Sequence, residues 1–300
     1  MRSYTAGRNQ YSRWTKNTAT AHLLDGDNDA NNAYKKICAM KDWPFLERIR
    51  TVTTTAQTQF TSLPYDCDLV RSIYVIISGD TERHTPRLIA SREQWDLLNQ
   101  SVVYSNTPEF YHVSNGQVGL YPIPVSTGNT IYINQKTRPI DLSVADITSV
   151  TIATATNGST AITASGSLTT LMAGMWLRIT YTGGATGTGD GVWYEIASVT
   201  NSTTLVLVRK YGGVSISAGT AACTIAQMPL LPEAFHDTPW KSATAIYWAQ
   251  ELDPRKDDFK QEYADDIAAI IRGYSSSTTN MVLDDGEDDA IINPNLTISL

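Results

Sequence analysis

Cysteine and histidine are both scarce in this chain, and their spacing excludes two kinds of site. The three cysteines, Cys38, Cys67 and Cys223, lie far apart, are odd in number and form no Cys-x-x-Cys pair. A disulfide framework of the sort that staples small secreted domains is therefore excluded, and the thiols are expected to be buried and reduced, as in proteins made in a cytosol. The four histidines, His22, His84, His112 and His236, stand alone in sequence, without the HExxH or HxH spacing that sets two imidazoles on one metal. No metal and no cofactor is expected. Long apolar runs are missing too: none approaches the roughly 18 residues that cross a bilayer. The opening MRSYTAGRNQYSRW has no apolar core of a signal peptide. A soluble chain with no membrane partner, made in a cytoplasm, is expected. Basic residues are outnumbered, with a net charge of −7, so bulk electrostatics disfavour wrapping nucleic acid or anionic lipid.

Catalytic patterns are missing as well. Gly183–Gly191 is glycine-rich but lacks the GK[ST] ending that cradles phosphate, and no helix follows it; it reads as a hairpin tip. No GxSxG elbow is present to expose a nucleophilic serine. Asp25-Gly26-Asp27-Asn28-Asp29 opens like a calcium loop. It then places Ala30 where glycine is required and Lys36 where a bidentate glutamate is needed. The tryptophans Trp43, Trp95, Trp176, Trp193 and Trp248 are not interleaved with Lys or Arg, so they suit core or interface anchors better than a nucleic-acid stacking platform. The chain is expected not to be an enzyme.

What is there falls into four zones. Residues 1–143 mix helix and strand signals. Asp25, Asp27 and Asp29 precede Ala30, Ala33, Tyr34, Ile37 and Cys38 at helical spacing, which predicts a helix with acids at its head and Trp43-Pro44 at its end. Ser91 with Gln94 predicts a short capped helix, and Val70–Ile77, Gln117–Tyr121 and Ile131–Ile133 read as strands. Residues 144–226 change texture: short apolar alternations around Val150, Leu177, Tyr194, Leu205 and Cys223 are separated by turn signals, and only three charged residues fall between 151 and 208. Even spacing of short strands predicts an inserted small antiparallel β-sandwich or barrel. Residues 227–274 are helical, with starts at Thr238-Pro239 and Asp253-Pro254 and Gly273 as the C-cap. Residues 275–300 form a tail: five acids within 284–289, a solvated linker or docking charge, then an apolar, extended run. An end this apolar is costly to leave in water, which predicts that it docks. The fold class is α+β: a helical bundle with associated strands, the inserted β domain and an extended C-terminal arm.

Several segments, in order along the chain, resemble the head–tail connector proteins of tailed bacteriophages, the adaptor or head-completion proteins. They are Ala33–Ile37 leading to Asp42–Leu46, Phe60–Asp66, Gly116–Pro124 with Gly128–Ile131, Gly189–Ile196, Gln227–Asp237, and Val282–Gly286 with Ile291–Leu296. The resemblance implies a virion protein at the head–tail interface: a homo-oligomeric ring, usually of twelve copies, beneath the portal protein. Tail nozzle, stopper or fibre proteins would lie below, and double-stranded DNA would pass through the lumen. It makes Tyr34, Ile37, Phe259, Tyr263, Ile267 and Ile270 candidates for packing the helices of the ring, and Ile291, Ile292, Pro294, Leu296 and Ile298 candidates for an arm that binds the portal. Two other functions remain open from the residues alone. One is a tail-side ring that anchors nozzle or fibre proteins through the β insertion; the other is a carbohydrate-binding receptor protein.

Overall fold

The computed structural model describes residues 2–181, 189–217 and 221–274. Among them are five α-helices: α1 (Tyr4–Thr15), α2 (Thr20–Met40), α3 (Arg92–Leu98), α4 (Thr238–Gln250) and α5 (Arg255–Tyr274). The first has few apolar positions and was not expected. It starts because the Ser3 hydroxyl accepts the Ala6 N–H, taking up one of the donors a helix start leaves open. Asp25, Asp27 and Asp29, expected at a helix head, lie inside α2, which begins at Thr20. Asp27 owes its place to α1: it accepts the Tyr4 hydroxyl at 2.9 Å and pairs with Arg8 at 3.1 Å. Burial raises the Asp27 pKa, and these two partners offset only part of the rise.

Helix α4 lies against α1, α2 and α5. Trp240 and Ala243 of α4 share a core with Tyr4, Tyr11, Tyr34, Ile37, Trp43, Leu142 and Ile270. Two glycines set how closely the helices cross. A Cβ at Gly26 would collide with the Tyr11 ring, and one at Gly7 with the Trp240 indole. Thr238, expected as an N-cap, is instead the first residue of α4, with Asp237 before it and Pro239 in its first turn; the Thr238 hydroxyl donates to Asp266 of α5 at 2.8 Å. Gly273 is not a cap either, since α5 continues to Tyr274. The expected arm, 275–300, lies outside the described residues.

The strands of the first half are β1 (Glu47–Thr53), β2 (Phe60–Ser62), β3 (Cys67–Ile76), β4 (Arg87–Leu88), β5 (Phe110–Ser114), β6 (Gln117–Tyr121) and β7 (Thr130–Thr137). They make two sheets, β1-β7-β3 and β2-β6-β5-β4. Ile131 and Ile133 of β7 are fully buried, so the alternation read from sequence marks the inner face. Asn115 and Gly116, both at positive φ, close the β5–β6 hairpin. Helix α3 is capped by Ser91, as expected, and its Trp95 stacks on His112 at 5.3 Å.

The second half of the β structure is a closed barrel of β8 (Thr151–Ala155), β9 (Ala161–Ala164), β10 (Trp176–Ile179), β11 (Trp193–Asn201), β12 (Thr204–Leu207) and β13 (Ala221–Ala226), in the order β10-β11-β12-β9-β8-β13. Closure leaves no strand edge unpaired. Ile152, Ile162, Leu177, Ile179, Ile196, Leu205 and Ile225 fill its interior. The fold is thus mixed α and β, and the β insertion is a barrel rather than a sandwich.

Gly26→Ala is expected to destabilise the chain by about 1–3 kcal/mol, because the added methyl overpacks a contact already closed. A thermal melt lower by several degrees checks this, and an unchanged melting temperature contradicts the close crossing.

Candidate interaction site at the core–barrel junction

Charged side chains are rarely buried unless paired, and one such group joins the two halves of the molecule. Arg50 projects from β1 and is nearly buried. Its guanidinium meets Asp66 at 3.0 Å and Glu195 of barrel strand β11 at 3.0 Å. Asp66 also accepts the Gln135 amide of β7 at 2.9 Å, and Arg48 approaches the second Glu195 oxygen at 3.5 Å. Burial disfavours the Arg50 charge, but the two carboxylates more than offset it and its pKa is raised.

A second tie involves Gln227, just past β13. Its side-chain carbonyl accepts the N–H groups of Ser143 and Val144 at 2.8 and 2.9 Å, and its amide donates to the Asp141 carbonyl at 2.7 Å. Its backbone carbonyl accepts the Tyr4 N–H. Asp146 is held by Ser3 and Thr5 at 2.8 and 2.9 Å. Both chain crossings into the barrel are therefore pinned to the start of α1. His236 secures the same end: its ring sits between the Arg2 backbone at 3.1 Å and the Leu231 carbonyl at 2.9 Å, and burial lowers its pKa.

Between these ties runs a cleft with two lobes. One, of about 300 Å³, is lined by Tyr34, Ile140, Val144, Leu171, Met175 and Met228. The other, of about 360 Å³, is lined by Val52, Pro64, Ala197, Leu207 and Val208. Arg50, Tyr65, Asp66, Ala173 and Gly174 belong to both, and the Tyr65 hydroxyl donates to the Ala173 carbonyl at 2.7 Å across the divide. Leu171 at the rim is 87% exposed and Tyr65 is 58% exposed. A third depression, of about 430 Å³, lies between the outer faces of α4 and α5, lined by Ala245, Ile246, Ala249, Lys260 and Tyr263. These are apolar surfaces, suited to adhesion.

The residues singled out from sequence are distributed unevenly over these surfaces. Tyr34, Ile37 and Ile270 are buried in the core of the chain itself. Phe259 packs against Trp14 at 5.4 Å, Ile267 packs against the same core, and Tyr263 lines the α4–α5 depression. Ile291, Ile292, Pro294, Leu296 and Ile298 lie outside the described residues. No local pattern marks the Arg50–Asp66–Glu195 group, whose members are brought together only by the fold. His84, read as isolated, has side-chain oxygens of Asp80 and Glu82 close by, both acids being exposed. Asp80 already accepts the Thr81 and Glu82 N–H groups of its own turn.

Arg50→Met strips Asp66 of its countercharge and leaves Glu195 only the more distant Arg48 at 3.5 Å, and is expected to cost about 3–5 kcal/mol. Adding Asp66→Asn and Glu195→Gln removes the stranded charges and is expected to restore much of the loss. Urea denaturation of the single and triple variants measures this; a single variant as stable as wild type contradicts the anchoring role.

Among the described residues, no helix is long and apolar enough to cross a membrane. No curated protein matches the chain. Residues 5–158, from α1 through β8, match the family model described as SU10 adaptor protein. That stretch is just over half of the chain and contains the helix α1–α2 pair, both open sheets and the Arg50 and Asp66 partners of the barrel. On that match the chain belongs to the SU10 adaptor protein family of phage head–tail adaptors.

Proposed function

We propose that the chain is a structural virion protein that assembles as a homo-oligomeric ring, of twelve copies, beneath the portal. In this role it joins capsid to tail and leaves a channel for DNA. The family match carries the adaptor role. The ring is supported by the apolar depression between α4 and α5, which Ile246, more than a third exposed, and the partly buried Tyr263 both line. Tyr34, Ile37 and Ile270 are spent on the chain's own interior. Packing between copies then falls to the outer faces of these helices, with Tyr263 at the contact. We take 1–143 and 227–274 as the adaptor core, 144–226 as an inserted domain, and 275–300 as the arm that reaches the portal through Ile291, Ile292, Pro294, Leu296 and Ile298. A net charge of −7 suits a lumen that lets DNA pass without holding it.

A second reading places the chain on the tail side, gripping nozzle or fibre proteins through the barrel. The exposed Leu171 beside the barrel favours it. Co-sedimentation with purified portal rings separates the two. Deleting 281–300 is expected to abolish portal binding, and Leu171→Asp to leave it intact. Portal binding that survives the deletion and fails in Leu171→Asp overturns the arm assignment in favour of the barrel.

A further inference from the structure

Strand β1 is an edge strand of the β1-β7-β3 sheet, and among the described residues no strand pairs with its other side. An unpaired row of N–H and C=O groups invites another strand unless it is blunted. The opposite edge of this sheet is blunted. Strand β3 carries two register shifts against β7, and Val75 near its end is bridged to His84. Strand β1 has neither device. Its seven residues pair with β7 in unbroken register from Glu47 to Thr53. Ile49 on this strand is 62% exposed. Ile49, Arg50, Thr51 and Val52 of β1 line the second lobe of the junction cleft, whose wall also includes Pro64, Asp66, Ala197 and Val208. This is a strand edge with a partly apolar trough beside it, the arrangement by which sheets accept an extended peptide.

The chain carries a segment of matching chemistry. From Ile292 to Ile298 apolar and polar residues alternate strictly: Ile292, Pro294, Leu296 and Ile298 on one parity, Asn293, Asn295 and Thr297 on the other. That is the pattern of a strand with one buried face. The proline fits the same parity. In an added strand, alternate N–H groups face the sheet, and proline is tolerated where its missing N–H faces outward. With Pro294 outward, Asn293, Asn295 and Thr297 present their backbone to β1, and the apolar side chains share one face.

The described chain also ends in the right place. Tyr274, the last residue of α5, packs edge-on against Phe45 with ring centroids 5.8 Å apart. Phe45 stands two residues before the start of β1. The seventeen residues from 275 to 291 can span up to about 56 Å at ~3.3 Å each. The seven residues of β1 span only about 23 Å at that rise. A tether of this length keeps the segment at a high effective concentration beside the edge.

We propose that the free edge of β1 accepts residues 292–298 of the same chain as an added strand, with Ile292, Leu296 and Ile298 entering the cleft between β1 and the barrel. This docking site goes beyond the adaptor reading and does not depend on it. In the free chain it shields both the apolar tail and the open edge from water and from other copies.

Hydrogen exchange measured residue by residue on the full-length chain tests the proposal. The outward-facing amides of β1 are expected to exchange at least about tenfold more slowly in wild type than in Leu296→Asp/Ile298→Asp. Asn295→Asp, on the polar parity, is expected to keep that protection. The protection is expected to be independent of protein concentration, as an intramolecular contact requires. Equal exchange in wild type and the double aspartate variant overturns the proposal. Protection that grows with concentration overturns the same-chain assignment and points to exchange of tails between copies.

Discussion

The Arg50 guanidinium is the charge on which the seating of the barrel depends. Arg50 stands on the sheet of the helical half, and its guanidinium is shared between Asp66 of that half and Glu195 of the barrel. A buried ion pair adds little stability over a well-packed apolar contact, but losing one partner is expensive. The arrangement therefore acts as a register pin: the barrel can seat in one orientation or strand a charge. The cleft, the exposed β1 edge and the position of Leu171 follow from that seating. Gln227 and Asp146 fix the two crossings of the chain, so the pin is not asked to resist rotation alone.

Much of this was legible in the residues, for physical reasons. Period-two alternation marked β7, because one face of a strand must be apolar wherever it meets a core. Turn signals separating short alternations gave the barrel, although Ala161–Ala164 passed unnoticed as β9, its small side chains offering little contrast. Ser91 was recognised as a cap because capping is a contact over three residues. Local rules failed where a distant partner decided the outcome. The acids of α2 looked like a helix head until α1, itself nearly invisible for want of an apolar stripe, supplied Tyr4 and Arg8 to Asp27.

The 151–208 stretch carries only three charges. Each proves to be occupied. Arg178 lies over the Trp193 ring at 4.7 Å, Asp190 accepts the Tyr194 hydroxyl, and Glu195 meets Arg50. Nothing in their spacing named the partners. The same limit applies to helix contacts. Tyr34, Ile37 and Ile270 have the spacing of an interface, and the chain uses them on itself. A periodic apolar face shows that something is covered, and only the fold shows by what.

The described residues spend their polar groups on ties within the chain and leave their apolar surfaces at edges, rims and helix faces. A family of head–tail adaptors is consistent with that distribution, since an adaptor works by adhesion to other virion components. Native mass spectrometry of the chain mixed with purified portal rings tests this most directly. The account predicts one dominant species in which twelve copies of the chain ride on each portal ring. A chain that remains single beside an unoccupied portal would contradict it.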